Sequence, residues 1–189
     1  MRARQDIARS GRVDPDTLEQ VVLVDADDRE VGTAPKLEAH RLGLRHRAFS
    51  VLVRDGEGRL LLQRRATAKY HSGGLWSNSC CGHPRPGEAT DAAAARRLRE
   101  ELGIEAAMSY LGRISYRVDF GDGMSEHEVV SVFAAAFGGR MRPDPAEVED
   151  TAWVTGPELL ADVRRRPELY TGWFRIYLDR HLDLLGLAG

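Results

Sequence analysis

Short apolar runs separated by turn residues predict several β-strands in this chain. The first two runs cover residues 21–25 and 49–53. Residues 55–58 read Asp-Gly-Glu-Gly, which predicts a hairpin turn between the second run and a third apolar run at residues 60–62. Three more strand candidates lie further along, at residues 111–120, 128–137 and 153–154.

A central helix is predicted over residues 91–102. Thr90 is the expected N-cap, and Gly103 stands just past the expected end. Apolar residues recur at spacings of three and four, which places them on one side of the helix. The predicted buried side consists of Ala95, Leu98 and Leu102.

Two helices are predicted near the C-terminus, over residues 157–163 and 167–187. The apolar stripe expected on the second consists of Leu169, Trp173, Tyr177 and Leu184. Residues 66–87 hold glycines, prolines and isolated polar groups, so they are predicted to form a long ordered loop with a functional role. Strands and helices mix without regular alternation. This predicts an α+β fold, with a mixed β-sheet flanked by helices.

Length and charge narrow the function classes. The chain has 189 residues, which favours one domain, predicted here over 20–189. Residues 1–19 show no stable period and are expected to form a loosely ordered extension. With 42% hydrophobic residues, the chain is not mainly disordered. The 27 basic and 29 acidic residues nearly cancel, so the strongly basic footprint of a nucleic-acid-binding protein is absent.

Cysteine usage and hydropathy favour a cytoplasmic location. Cys80 and Cys81 are adjacent, a spacing that suits no structural disulfide framework. The longest apolar run, residues 129–137, is interrupted by Ser131 and is far shorter than the ~20 residues of a membrane-spanning helix. Residues 1–13 lack the apolar core of a secretory signal. We therefore expect no membrane insertion.

The first chemical motif spans residues 82–104. Gly82 is followed after five residues by Glu88 and after seven more by Arg96, and the motif closes with Glu100-Glu101 before Gly103. This pattern resembles the Nudix box, a loop-helix-loop that holds a divalent metal ion against a diphosphate. Carboxylates on one helix face supply the hard oxygen ligands such an ion prefers. The residue after Arg96 departs from the pattern, because Arg97 stands where the family has glutamate.

The second motif is more specific. Residues 76–84 read WSNSCCGHP, which resembles the active-site segment of type I isopentenyl-diphosphate isomerases, a branch of the Nudix fold. Glu126-His127-Glu128, ten residues beyond Tyr116, matches the same family, as do two histidines ahead of Phe49. The resemblance runs in order from about residue 21 to 137, and more loosely to Trp173. It implies a Nudix-like α/β/α sandwich.

The resemblance also implies two metal sites. The first holds Mn²⁺, Mg²⁺ or Zn²⁺ in a mixed nitrogen and oxygen shell that suits an octahedral divalent ion. Its implied ligands are His40, His46, His83, Glu126 and Glu128. At the second, Glu101 helps to hold Mg²⁺ on the substrate's diphosphate. The spacing from His40 to His46 is one residue shorter than in the best-known bacterial members, so a small loop adjustment is expected.

The remaining implied roles concern substrate and catalysis. The implied reaction is a 1,3-allylic proton shift that converts isopentenyl diphosphate to dimethylallyl diphosphate, and it needs two proton carriers flanking the alkene. Cys81 and Glu128 match that pair, and Tyr116 matches a phenol that assists the glutamate. Two tryptophans, Trp76 and Trp173, are candidates to stabilise a carbocation. The implied phosphate contacts are Lys36, Arg65, Lys69 and Arg97.

Other interpretations remain open at this stage. A Nudix pyrophosphohydrolase would share the box but would not need Cys81 or the histidines. A non-catalytic diphosphate-binding module would bind metal and ligand without turnover. Taken individually, Arg65 is also typical of a solvated strand end, Trp173 of a core aromatic, and Cys80 of a buried structural thiol. The expected partner is a small-molecule isoprenoid diphosphate, acted on by a monomer or homodimer.

Overall fold

The computed structural model describes residues 19–69, 71–121 and 123–187, so the predicted N-terminal extension lies outside the described residues apart from Glu19. The strands are β1 Gln20–Val24, β2 Glu30–Pro35, β3 His46–Arg54, β4 Leu60–Arg65, β5 Trp76–Ser77, β6 Cys80–Gly82, β7 Met108–Asp119, β8 Ser125–Ala136 and β9 Val148–Val154. The helices are α1 Lys36–Leu42, α2 Thr90–Leu102, α3 Gly156–Arg165 and α4 Gly172–Arg180, with a 3₁₀ turn at Pro167–Leu169.

The nine strands form one mixed sheet around β3. Strand β3 runs parallel to β8 along its full length, from His46 opposite Glu128 to Arg54 opposite Ala136. It also pairs antiparallel with β1, β4 and β6. The remaining antiparallel pairs are β1 with β2, β7 with β8, and β4 with β5 and β9. The predicted mixed sheet is confirmed.

Helices cover both faces of this sheet. Because side chains alternate along a strand, Ala48 and Leu52 of β3 point to one face, and Phe49 and Val51 point to the other. The first pair packs in a core with α3 and α4. The second pair packs with α2. The three-layer sandwich is therefore confirmed.

The central helix α2 differs in detail from the prediction. It begins at Thr90, its N-cap is Ala89, and the described residues show no side-chain hydrogen bond at this cap, so the predicted Thr90 cap is wrong. Ala94 is buried where Ala95 was expected, and Ala95 is exposed. The pattern allowed either neighbour, and packing against the sheet selected Ala94. Gly103 adopts the predicted left-handed C-cap, with φ of 65°.

The C-terminal region is divided where one helix was predicted. The chain forms the 3₁₀ turn, extends through Tyr170, forms α4, and then continues as turns over residues 182–186. The extended segment arises because Tyr170 forms a β-bridge with Trp76, and the Thr171 N–H donates to the Trp76 carbonyl at 2.9 Å. These long-range contacts interrupt the helical pattern.

None of the helices among the described residues has the length and apolar composition of a membrane-spanning segment.

Two other predictions need correction. The predicted loop over residues 66–87 contains the short strands β5 and β6. Strand β9 begins at Val148, five residues before the predicted start, and so takes in the end of an acidic connection. In both places pairing with a neighbouring strand overrides a weak local pattern: β6 pairs with β3, and β9 pairs with β4.

Candidate active site and metal centre

Strand register gathers the candidate catalytic side chains on one face of the sheet. Tyr116 on β7 and His46 on β3 both lie opposite Glu128 on β8. Cys81 on β6 lies opposite Ser50 on β3. Because side chains alternate along a strand, positions 46 and 50 of β3 point to the same face, which is the face covered by α4.

A cavity of about 360 Å³ opens between this face, α2 and α4. Its inner wall includes Cys81, Tyr116 and Glu128, and α4 contributes Trp173 and Tyr177. Charged side chains line the rest, among them Lys36, Arg65, Lys69, Arg97, Glu101 and Glu147. The cavity therefore joins a partly aromatic interior to a highly charged region.

Four buried side chains form a compact cluster that could hold a metal ion: His40, His46, His83 and Glu128. The Nε2 atom of His46 lies 3.3 Å from that of His40 and 3.2 Å from that of His83. The Glu128 Oε1 atom lies 3.0 Å from His83 Nε2 and 3.4 Å from His46 Nε2. Candidate ligand atoms from α1, β3, β8 and the segment after β6 thus converge.

The hydrogen bonding of His46 fits a cation at this point. Its Nδ1 lies 2.8 Å from the Leu44 carbonyl oxygen, which can only accept, so Nδ1 carries the proton. Its Nε2 therefore faces two other imidazole nitrogens and a carboxylate. Burial lowers the pKa of His40 to about 2 and also lowers that of His83, which favours neutral rings. Converging lone pairs on buried neutral imidazoles suit a divalent metal.

The loop between His40 and His46 is held from β8. Gly43 caps α1 in a left-handed conformation, with φ of 61°, and a Cβ there would meet Ser125 Oγ at 3.0 Å. His127, which lies between the two glutamates of the motif, has its Nδ1 3.3 Å from the Gly43 carbonyl and accepts from Arg45 Nε at 3.1 Å. These contacts hold the loop that joins the two histidines against β8.

Glu126, Tyr116 and Glu128 form a second buried unit beside the cluster. The Tyr116 hydroxyl lies 2.8 Å from Glu126 Oε2 and 2.6 Å from Glu128 Oε2. Burial and the neighbouring Glu128 raise the pKa of Glu126. Burial opposes ionisation of Glu128, but the adjacent ring nitrogens of His46 and His83 hold its pKa well below the usual range. Burial and both carboxylates raise the pKa of Tyr116, which keeps the phenol protonated.

Buried polar residues of the WSNS segment position Cys81. The Asn78 side chain donates to Ser50 Oγ and to the Cys80 carbonyl, each at 2.8 Å. Ser79 Oγ donates to the Leu61 carbonyl at 2.7 Å and accepts from the Val53 N–H at 2.8 Å. These bonds fix β6 against β3 and β4, which explains the need for small polar residues in this segment.

The two cysteines face opposite sides of the sheet. Cys80 is fully buried in the core beneath α2, whereas Cys81 reaches the cavity. Both are free thiols. Burial raises the pKa of Cys81 to about 12, so the group is a neutral thiol at neutral pH. The expected buried, structural position of Cys80 is what the structure shows.

The charged region of the cavity pairs each of three cations with carboxylates. Lys36 Nζ lies 2.6 Å from Glu19 Oε2, and Lys69 forms an ion pair with Glu147. Arg97 Nη2 lies 2.6 Å from Glu101 Oε1 and 3.2 Å from Glu147 Oε2. The fourth cation differs. Arg65 places its guanidinium carbon 5.2 Å from the centre of the Trp173 ring.

Within the motif that spans residues 82–104, helix α2 stabilises the loop that precedes it. Arg96 donates to both carboxylate oxygens of Glu88, from Nε at 2.8 Å and from Nη2 at 2.9 Å. Glu88 also accepts from the Arg85 N–H at 2.9 Å. On the next turn, Glu101 accepts from Gln63 of β4 at 3.0 Å. The spacing from Glu88 to Arg96 thus has a structural purpose, and it leaves Glu101 directed into the cavity.

Comparison with known proteins places this arrangement in a family. The NUDIX domain model matches residues 44–173. An isopentenyl-diphosphate Delta-isomerase 2 from Aromatoleum aromaticum is 49% identical over 171 residues, covering 90% of each chain. An isopentenyl-diphosphate Delta-isomerase from Burkholderia multivorans is 48% identical over 162 residues, covering 86% of this chain and 92% of the relative. The chain belongs to the isopentenyl-diphosphate Delta-isomerase family, within the Nudix superfamily.

A solved structure supports the fold of this isomerase-family chain. A Deinococcus radiodurans protein superposes with a TM-score of 0.63 at 22% identity, covering 78% of this chain and 90% of that one. The NUDIX match begins at residue 44, so two of the predicted site residues precede it: Lys36 and His40, both on α1. The segment from β1 to α1 therefore adds a cation and an imidazole to the common domain.

Most of the residues predicted for an isomerase lie around this cavity. His40 and His46 are in the buried cluster, and Glu126 lies beside it. Trp76 belongs neither to the cavity lining nor to the buried cluster, and its ring lies 5.9 Å from the Arg64 guanidinium. Its carbonyl accepts from Thr171, so the backbone of Trp76, rather than its ring, positions α4.

Several cavity residues were not predicted as site residues, and two of them stand out. His71 is buried, with its Nε2 3.6 Å from Glu126 Oε1 and its ring stacked on Phe120 at 4.9 Å. A histidine inside the predicted functional loop was a usable signal. Glu147 lies in an acidic stretch where nothing in the pattern distinguished it from Asp144 or Glu149. Only the tertiary contacts single it out.

Proposed function

We propose that this isomerase-family chain converts isopentenyl diphosphate to dimethylallyl diphosphate by protonation and deprotonation through a tertiary carbocation. The observation that supports this best is that the Cys81 thiol, the Tyr116–Glu128 pair and four cationic side chains line the same cavity. Isomerisation needs proton carriers beside an alkene and a fixed anionic tail. A hydrolase needs neither the thiol nor the buried imidazoles.

Cys81 and Glu128 are the proposed proton carriers. One delivers a proton to the terminal CH₂ carbon of the alkene, leaving the positive charge on the tertiary carbon. The other removes a proton from the neighbouring CH₂, and the double bond forms in its new position. The Tyr116 hydroxyl, 2.6 Å from Glu128, holds this carboxyl group in place through the exchange.

The cavity walls protect the cationic intermediate. Trp173 is nearly fully buried, and its Nε1 donates to Ser77 Oγ at 3.0 Å, which fixes the indole ring against the cavity. An aromatic face stabilises a desolvated cation by roughly 2 kcal/mol or more. With α4 over the face, water that would convert the cation to an alcohol is excluded.

The cations Lys36, Arg65, Lys69 and Arg97 are proposed to hold the diphosphate, since guanidinium and ammonium groups both suit phosphate oxygens. Glu101 would help to hold Mg²⁺ on that diphosphate. His40, His46, His83, Glu126 and Glu128 would hold a second divalent ion, Mn²⁺, Mg²⁺ or Zn²⁺. When bound, these ions neutralise phosphate charge and shift the acidity of the carboxyl groups they contact.

A direct assay tests the proposal. The protein is incubated with isopentenyl diphosphate, Mg²⁺ and Mn²⁺ in deuterated water, and the products are followed by NMR. We expect dimethylallyl diphosphate carrying deuterium in a methyl group. Release of phosphate would instead indicate a hydrolase, and metal-dependent binding without turnover would indicate a non-catalytic module.

The setting of the reaction completes the proposal. The chain carries two free, adjacent thiols, one of them in the cavity, which suits a reducing compartment. We therefore propose that it acts in the cytoplasm. We also propose that it is a monomer or homodimer. Fractionation and size-exclusion chromatography with light scattering test these two points.

A further inference from the structure

Two of the proposed diphosphate-binding cations meet on one carboxylate. Lys69 lies in the loop after β4, and Arg97 lies on the second turn from the end of α2. Both contact the same oxygen, Glu147 Oε2, with the Arg97 Nη2 atom 3.2 Å away. The Lys69 and Glu147 side chains are only 17% and 22% exposed, so this arrangement is largely withdrawn from solvent.

The backbone of Glu147 is anchored independently of these ion pairs. Its N–H donates to the Asp144 carbonyl at 3.0 Å, and its carbonyl accepts from the Ala66 N–H at 2.9 Å. The next residue, Val148, begins β9 opposite Arg65. Glu147 is therefore attached to the end of β4, the strand that leads into the Lys69 loop.

The Glu147 carboxylate reduces the electrostatic repulsion between Lys69 and Arg97. Two positive groups that converge on one small volume repel each other, and long flexible side chains then turn towards solvent. A shared carboxylate offsets the repulsion and holds both groups near one position. Ordering the cations before the substrate arrives lowers the entropic cost of binding the diphosphate.

We propose that Glu147 is a positioning residue that acts without contacting the diphosphate. It holds Lys69 and Arg97 in the arrangement that receives the phosphate oxygens. This inference rests on the proposed function. It assigns to Glu147 a contribution to substrate binding and none to proton transfer.

The test compares Glu147→Gln with Glu149→Gln, a matched control two residues further along the chain, on β9. Glu149 contacts Thr67 and Arg64 and does not line the cavity. For Glu147→Gln we expect the KM for isopentenyl diphosphate to rise at least fivefold, with kcat within twofold of wild type. Calorimetry with inorganic diphosphate and Mg²⁺ should show a similar loss of affinity. Glu149→Gln should match wild type in both.

Three outcomes would overturn the inference. An unchanged KM would show that the cations are ordered without Glu147. A lowered KM would show that the carboxylate competes with the diphosphate. A large loss of kcat at unchanged KM would place Glu147 in the chemistry.

A second variant covers a failure to fold. Should Glu147→Gln be unfolded, Glu147→Asp carries the test, because the shorter side chain keeps the charge but cannot reach both cations. We expect the KM of Glu147→Asp for isopentenyl diphosphate to rise above the wild-type value, but by less than the fivefold expected for Glu147→Gln. A wild-type KM would overturn the inference. A wild-type protein without isomerase activity would instead count against the proposed function.

Discussion

His46 and Glu128 occupy the same register position of two parallel strands, and their Nε2 and Oε1 atoms lie 3.4 Å apart. The pairing of β3 with β8 continues for nine residues, so backbone hydrogen bonds fix this pair as firmly as the centre of the sheet. The candidate metal centre is thus built on strands, and only His40 and His83 approach from outside them. A site held in this way should tolerate no change in its central imidazole.

Replacing His46 should therefore abolish metal binding. His46 Nε2 is the atom that faces two other imidazoles and a carboxylate, so its loss removes the centre of the cluster. In His46→Gln we expect Mn²⁺ affinity to fall by more than about 100-fold, beyond the loss typical of an outer contact. Metal analysis after dialysis and calorimetry measure this. His181→Gln, near the C-terminus, is the control, and full occupancy in His46→Gln would contradict the assignment.

Replacing Cys81 should reduce activity, whereas replacing Cys80 should reduce stability. Cys81→Ala removes a proton carrier, so kcat should fall by about 10²–10⁴-fold while the melting temperature stays within a few degrees of wild type. Cys80→Ala removes a fully buried thiol from the opposite core, so it should lower the melting temperature and retain activity. Turnover assays and thermal melts check both. An active Cys81→Ala would move the proton transfer to another group.

Reversing the charge of Arg97 should weaken substrate binding. Arg97→Glu places a carboxylate beside Glu101 and Glu147, where a diphosphate must approach, so we expect the KM for isopentenyl diphosphate to rise more than tenfold. The control is Arg99→Glu on the exposed side of the same helix. Steady-state kinetics distinguish them. Equal KM values for the two variants would exclude Arg97 from diphosphate binding.

The Glu88–Arg96 pair should contribute to stability in a pH-dependent way. The hydrogen bond from Arg96 lowers the pKa of Glu88 from 4.5 to about 2. A carboxyl group with a depressed pKa in the folded state stabilises the protein fully above 4.5, and this stabilisation is lost as the pH falls towards 2. Glu88→Gln should therefore lose roughly 1 kcal/mol at pH 7, after allowance for solvent screening.

Denaturant titrations at pH 7, 4 and 3 would measure this contribution. The gap in unfolding free energy between wild type and Glu88→Gln should narrow as the pH falls. The exposed Glu105→Gln serves as the control, with a small gap at every pH. A Glu88→Gln gap that stays constant down to pH 3 would show that the pair does not titrate in this range.

Local sequence was sufficient for the sheet core and the central helix. The apolar runs at residues 49–53 and 60–62 and the turn at residues 55–58 predicted a hairpin that the structure contains, with Arg54 opposite Leu60. Gly103 ended α2 as predicted, because a left-handed cap needs no contact from elsewhere in the chain. The family resemblance also predicted Cys81, three histidines and two glutamates as site residues, and the structure brings these side chains close together.

Tertiary structure decided the features that depend on distant partners. The bond from Thr171 to the Trp76 carbonyl divides the C-terminal helix, and no helical periodicity can encode a partner about a hundred residues away. The same reason applies to His71 and Glu147, whose importance lies in what they contact across the cavity. The amino-acid sequence established which chemical groups are present. Only the folded chain decided which groups meet, because distances between side chains are set by strand register and helix packing.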